Sequence, residues 1–231
     1  MKISILTMFT EMVQGLYEAP VIKHALEKNM LQIQVVDIRD FADGSYRHID
    51  DSPYGGGAGM ILRCEPVYGA LRSVSACDRH VVLMSAAGTP YTQKKAREFS
   101  AMENLVLICG HYEGVDARIY DVCDELISLG DFICTGGEFP ALLVVDSIAR
   151  LLDGVIKKES TEEESFENGL LEYDQYTKPA VFEGKEVPAV LRSGDHAKIR
   201  EWKHQSSLEN TKKYRPDLYE KYMAEKRQKD D

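Results

Sequence analysis

Short apolar runs rich in β-branched residues alternate along this chain with segments whose apolar residues recur every three or four positions. Strands separated by helix-length crossovers must lie parallel. The crossovers cover both faces of the sheet, so an α/β fold is expected. Lys2–Phe9, Leu31–Ile38, His80–Ala86, Asn104–Cys109 and Glu125–Leu129 read as strands. Glu11–Asn29 reads as a helix broken or kinked at Pro20, which lacks a backbone donor. Pro66–Cys77, with Pro66 suited to the first turn, Thr92–Met102, a short stretch near Val115–Cys123 and the apolar Phe139–Leu152 complete the helices.

The texture changes after Leu152. Asp153–Gln175 is polar, acidic and poor in apolar periodicity, which reads as a linker or mobile loop. Helix-period segments return near Gly194–His204, Ser207–Tyr214 and Pro216–Lys229. Three parts are therefore expected: an α/β domain over 1–152, a linker over 153–175 and a small helical domain over 176–231.

A chain of 231 residues with 44% hydrophobic and 29% charged residues has the composition of a soluble globular protein, able to bury a core without staples. The five cysteines, Cys64, Cys77, Cys109, Cys123 and Cys134, form no CxxC pair. They read as reduced, mostly buried thiols of a cytosolic protein, and no zinc site is expected. The apolar N-terminus is too short for a membrane span and reads as a buried strand rather than a signal peptide.

The net charge of −10 argues against a nucleic-acid partner when taken alone. Its distribution is uneven. Arg192 to Lys229 holds eleven Lys and Arg against six Asp and Glu, whereas Glu159–Glu172 holds six glutamates and no basic residue. A local basic face on an acidic protein and an ordinary solvated helix surface both fit this pattern.

Several familiar chemistries are absent. Gly55-Gly56-Gly57-Ala58-Gly59-Met60 fails GxGxxG for want of its third glycine, and there is no P-loop, HExxH or GxSxG. Three glycine-bearing segments remain. Pro53–Met60 carries four glycines in five positions and, by itself, reads as a flexible connector. Cys109-Gly110-His111-Tyr112-Glu113-Gly114-Val115-Asp116 directly follows an apolar strand, where functional loops of open α/β sheets lie. A Tyr and a Glu there would suit a planar base and a cationic group, and a tight strand-to-helix turn is the alternative. Ser128–Pro140 also runs from a strand into a helix, with backbone groups able to read an adenine edge. Two such loops after neighbouring strands point to a ligand pocket.

In this order, the three segments resemble the bacterial tRNA (guanine-N1)-methyltransferase family of the SPOUT superfamily. The resemblance spans nearly the whole chain. It takes in Arg39-Asp40-Phe41, Asp50–Gly57, Asp146-Ser147-Ile148-Ala149-Arg150, Tyr176-Thr177-Lys178-Pro179 and Ser193–Ile199. It implies a SPOUT-type parallel-sheet domain with a deep trefoil knot near residues 84–140, a topology that general rules of connection would exclude. It also implies a homodimer with shared active sites. S-adenosylmethionine would sit bent in the knot against Leu83, Met84, Ser85 and Ala86. Gly110, Tyr112, Glu113 and Gly114 would form a second wall. Leu129, Gly130, Asp131, Phe132, Ile133, Cys134, Gly136 and Gly137 would form the third.

The reaction implied is methyl transfer to N1 of the guanine next to the anticodon. That nitrogen carries a proton, so a carboxylate should remove it and a cation should steady the charge on O6. Arg150 matches the family's arginine. The family places an Asp before Ser-Phe in the linker; here Glu164 precedes Ser165-Phe166, within Glu162-Glu163-Glu164, and the linker is about one residue shorter. Glu164 is the expected base, with Glu163 the runner-up. His111 stands where relatives often have Arg, so no RNA contact is carried over to it. Magnesium assists turnover in the family, but no ligand set for it is marked in this sequence. The basic C-terminal helices would hold the tRNA anticodon stem-loop, and the target base would be turned out into the pocket. Another SPOUT RNA methyltransferase, or a non-catalytic RNA-binding protein, is the alternative.

Overall fold

The computed structural model describes residues 1–44, 47–74, 77–157, 161 and 163–230. Ser75 and Ala76 of the expected third helix lie outside the described residues, as does Glu162 of the acidic run. Contacts divide the chain into two compact units, Met1–Ile156 and Lys157–Asp231.

The first unit is built on a five-stranded parallel sheet in the order β2-β1-β6-β5-β7. Its strands are β1 (Lys2–Thr7), β2 (Gln32–Asp37), β5 (Arg79–Pro90), β6 (Asn104–Cys109) and β7 (Glu125–Ser128). Between β2 and β5, two-residue strands β3 (Asp50–Asp51) and β4 (Ile61–Leu62) pair antiparallel. The helices are α1 (Thr10–Gln14), α2 (Pro20–Glu27), α3 (Cys64–Ser73), α4 (Gln93–Ser100) and α5 (Glu138–Ala149).

Continuous apolar strands arise because both faces of this sheet are buried. Ile3 and Ile5 of β1, with Leu105, Leu107 and Cys109 of β6, join a core layer completed by Ile22 of α2, Phe99 of α4 and Val144, Val145 and Ile148 of α5. The intervening Leu6, Val106 and Ile108 face the other layer, against Val67, Ala70 and Leu71 of α3. Period-two alternation thus feeds two cores rather than one core and solvent.

Pro20 starts α2 at its first turn instead of kinking one long helix. A 3-10 turn over Gly15–Glu18 separates α2 from α1. The stretch near Val115–Cys123 is likewise a 3-10 turn, Ala117–Val122, started by the Asp116 carboxylate accepting from the Arg118 amide at 3.0 Å. The cysteines depart from the expected burial. Cys109 is buried and Cys64 and Cys123 are half-buried, whereas Cys77 and Cys134 are exposed on loops.

The strand expected over His80–Ala86 instead runs to Pro90, with an irregularity in its middle. Met84 and Thr89 both pair with Ile127 of β7, so residues 85–88 leave the ladder and return to it. Gly88 permits the return, because a Cβ there would overlap the backbone of Leu126 and Ile127. Bulges of this kind re-aim the chain at the edge of functional clefts.

The second unit contains a small hairpin, β8 (Val181–Phe182) with β9 (Lys185–Glu186), and the helices α6 (His196–Tyr214) and α7 (Pro216–Asp230). Asp195 caps α6 by accepting from the amides of Ala197 and Lys198. The two helices expected either side of Gln205 and Ser206 are one. Polar residues interrupt the apolar period there because they bind backbone. The Ser206 hydroxyl accepts from the Asp174 amide at 3.0 Å and the Thr211 hydroxyl from the Leu171 amide at 2.8 Å. Asn210 donates to the Glu172 carbonyl at 3.2 Å, so 171–174 lies hydrogen-bonded along α6.

Tyr91 ties the end of β5 to α5. The Ser147 hydroxyl donates to the Val144 carbonyl, so the Tyr91 phenol donates to Ser147, at 2.7 Å. Burial raises its pKa from the ordinary 10.0 to about 12. The folded state therefore keeps this proton where the unfolded chain releases it. The resulting stability is complete below about pH 10 and is lost as pH rises through about 12. Urea unfolding followed at stepped alkaline pH should show that loss, and Tyr91→Phe should remove it.

Candidate functional site

The excursion of β5 opens a cavity of about 360 Å³ at the carboxyl ends of β5, β6 and β7. Ligands of open α/β sheets bind at such strand ends, and the volume lies in the small-molecule range. Leu83, Met84, Ser85, Ala86 and Ala87 contribute one wall, Gly110–Val115 the second, and Ile127–Gly130 with Phe132–Gly137 the third. Tyr120 and Pro140 close its edges.

The second and third walls are fastened backbone to backbone. The Gly137 amide donates to the Gly110 carbonyl at 2.8 Å, and His111 bridges Gly136. A Cβ on Gly137 would lie 2.8 Å from the Cys109 Cα and 3.0 Å from the Gly110 nitrogen. Only glycine allows this approach, which seats the start of α5 on the end of β6. Tyr112 follows with a left-handed backbone, φ 62°, and a half-exposed ring.

The first glycine segment touches this assembly from outside. Its glycines 55–57 form the exposed tip between β3 and β4, and none lines the cavity. Its far end is pinned. The Glu113 amide donates to the Met60 carbonyl at 3.0 Å, the Leu62 amide to the Gly114 carbonyl at 3.0 Å and the Asp116 amide to the Leu62 carbonyl at 2.9 Å. The Glu113 side chain lies over Gly59, where a Cβ would leave it no room. Arg118 holds the end of the loop through a 2.6 Å ion pair that lowers the Asp116 pKa to about 2.

Electrostatically the cavity is sparse. Glu113 is the one carboxylate among its described lining residues, and His111 the one imidazole. Behind the wall, Glu138 is buried at 2% exposure and accepts from the Thr7 hydroxyl at 2.8 Å. Burial, and then the Glu138 charge, push the Cys109 thiol well above its ordinary range.

Of the expected donor-binding residues, all but Asp131 line this one cavity. Asp131 sits exposed between them. Arg150 lies at the opposite end of α5, past its last helical residue. Glu164 belongs to the second unit, where it lines a cavity of about 770 Å³ with Glu163, Glu167, Arg200, Lys203 and His204. Glu163 pairs with Lys203 at 2.9 Å, and this cation holds its carboxyl below the usual range. The sequence reading missed Ala87, His111, Val115, Tyr120, Ile127, Ser128, Thr135 and Pro140 as lining residues. The place of Ala87 follows from the β5 excursion, for which no sequence pattern exists. Glu138 carried a usable signal, as an acid in the first turn of an otherwise apolar helix.

Gly137→Ala should force the Cys109–Gly110 backbone and α5 apart. A loss of about 1–3 kcal/mol is expected, as for an overpacked core, read as a lower thermal midpoint. An unchanged midpoint would show that the contact is not tight.

The family described as "tRNA (Guanine-1)-methyltransferase TrmD" matches residues 1–221. A Clostridium botulinum protein named tRNA (guanine-N(1)-)-methyltransferase is 47% identical over 224 residues, covering 96% of this chain and 93% of that protein. Proteins of the same name from Desulfitobacterium hafniense and Dictyoglomus turgidum are 48% and 45% identical, each over 96% of this chain and over 85% and 91% of their own lengths. Likeness of this degree along both units, in a chain whose glycine loops converge on one cavity at the sheet's carboxyl edge, places the protein in the tRNA (guanine-1)-methyltransferase family.

Proposed function

We propose that this chain transfers a methyl group from S-adenosylmethionine to N1 of the guanine next to the anticodon of tRNA. The observation that carries the reading is the convergence of the β5, β6 and β7 loops on one cavity in a chain of this family. The walls suit the donor. They offer backbone N–H and C=O groups from glycine-framed loops, apolar surface from Leu83, Leu129 and Ile133, and a single carboxylate, Glu113, for a cationic ligand. When bound, the donor supplies an already activated methyl group.

The protein's own task is the nucleophile. Glu164 takes the proton from guanine N1, and Arg150 steadies the charge that gathers on O6. A rise of 1.5 Å per residue puts the two ends of α5 about 18 Å apart, so Arg150 is remote from the cavity that the start of its own helix lines. It suits the site of a second copy. Phe139 and Leu143, 56% and 58% exposed, share one face of α5 with Arg150 by helical spacing. In the loop before α5, Phe132 and Ile133 are exposed at 58% and 84%. Such a patch supports a symmetric dimer with active sites built from both chains.

The reading divides the chain into a knotted donor-binding domain over 1–152, a linker over 153–175 and a tRNA-binding domain over 176–231. Lys198, Arg200, Lys212, Lys213 and Arg215 on and after α6 supply cations for phosphates of the anticodon stem. Magnesium enters as a helper of turnover. No group of three or more His, Cys, Asp or Glu side chains able to hold a metal forms among the described residues. The enzyme would act in the cytoplasm, and no described helix is long and apolar enough to cross a membrane.

Labelled S-adenosylmethionine with two tRNA transcripts, guanine or adenine next to the anticodon, tests the reaction. Label should enter only the first; equal labelling of both, or none, would overturn the reading. Glu164→Gln should cut single-turnover methylation by about 100-fold or more, as for loss of a general base, while donor affinity measured by calorimetry stays level. Undiminished turnover removes Glu164 from the mechanism.

A further inference from the structure

A buried carboxylate behind the cavity wall faces the buried ring nitrogen of a half-buried imidazole that lines it, and the reaction as described uses neither. Glu138 is 2% exposed. Its Oε1 accepts from Thr7, and its Oε2 lies 3.8 Å from His111 Nδ1. That ring nitrogen is itself buried with no hydrogen-bond partner. A buried carboxylate and an unpaired ring nitrogen are each costly alone, and each supplies what the other lacks. They sit about 1 Å beyond hydrogen-bonding range.

The surroundings leave this pair one way to relax. Phe9 packs on the imidazole with ring centroids 4.7 Å apart, and Tyr112 meets it edge-on at 5.3 Å. Glu138 is anchored in the first turn of α5, where the helix N-terminus favours negative charge. Gly136 lies between them, and a Cβ there would overlap both the carboxylate and the ring nitrogen. The titratable neighbours are Glu138 from α5, Tyr112 in the same loop and the buried Cys109 thiol at the end of β6.

We propose that His111 and Glu138 are positioning residues for methyl transfer. His111 donates Nδ1–H to Glu138, drawing the 109–114 loop and the start of α5 together into the shape that grips the methyl donor. Neither residue touches the reacting atoms. His111 itself lines the cavity while Glu138 stands behind it, so the contact is a clamp across the joint of two walls. The inference rests on the reading of this cavity as the donor site.

A double-mutant cycle tests it. Donor affinity is measured by calorimetry for the native chain, His111→Gln, Glu138→Gln and the double variant. Each single change should weaken binding about tenfold, as for one charge-assisted hydrogen bond, and the double variant should be no worse than either. Additive losses would overturn the pair. His111→Arg, which keeps a donor for the Glu138 carboxylate, should recover the affinity lost in His111→Gln; no recovery would count against the clamp. The same cycle read on thermal midpoints without donor tests the contact separately. Coupled midpoints in a chain that binds no donor would sink the reading of the cavity and leave the pair standing.

Discussion

Ile127 is paired twice, and the site depends on that. Met84 and Thr89 of β5 both claim it, so the strand must leave the sheet after the first pairing and re-enter for the second. The re-entry needs backbone to lie against backbone, which Gly88 allows. Residues 85–87 then have nowhere to go but outward, and they become the first wall of the cavity. Gly137 does the same for the other walls, resting α5 directly on the end of β6. The cavity is what remains when three adjacent strand ends are held open by glycine contacts, each of which a single methyl group would disturb.

This explains which parts of the fold were legible in the chain. The buried strands were, because Ile3, Ile5, Leu105 and Leu107 alternate with Leu6, Val106 and Ile108 and all seven are apolar. Pattern reading needs only that both faces be covered. The extension of β5 to Pro90 was not legible, since Ala87-Gly88-Thr89-Pro90 has the composition of a turn and pairs only because β7 lies beside it. The unity of α6 was hidden for a related reason. Ser206 looks like an interruption of a helix, yet it is buried and accepts from the Asp174 amide. In each case a residue serves a distant partner, and local propensity carries no trace of it.

The candidate site divides along the same line. Residues contributed by glycine-framed loops were found from their motifs, and all but Asp131 meet at one cavity. Tyr120, Ile127 and Pro140 line it too, but only because the loops bring their elements near, which no spacing rule encodes. Glu113 shows how a motif residue takes its meaning from structure. Its amide is held by Met60 and its side chain covers Gly59, so the hairpin tip at 55–57 is exposed while its far end fixes the orientation of the loop. Of the four glycines that read as a flexible connector, Gly59 meets that joint and Gly55, Gly56 and Gly57 form the exposed tip.

The charge distribution carries the last step. Deprotonating a purine nitrogen calls for an acid anion poised near a cavity whose described walls offer only Glu113. The proposed base, Glu164, is not among that cavity's lining residues and lines a cavity of the second unit instead. In the second unit Glu163 is bound to Lys203, whose ammonium also lies 4.2 Å from the centre of the Tyr173 ring. RNA phosphates would compete for that lysine. The exposed pair contributes little to stability and is screened by salt, so exchanging one anion for another on Lys203 costs little. Glu163 thus occupies one cation of the second unit in this acidic protein, a pairing that phosphates would exchange on the proposed reading.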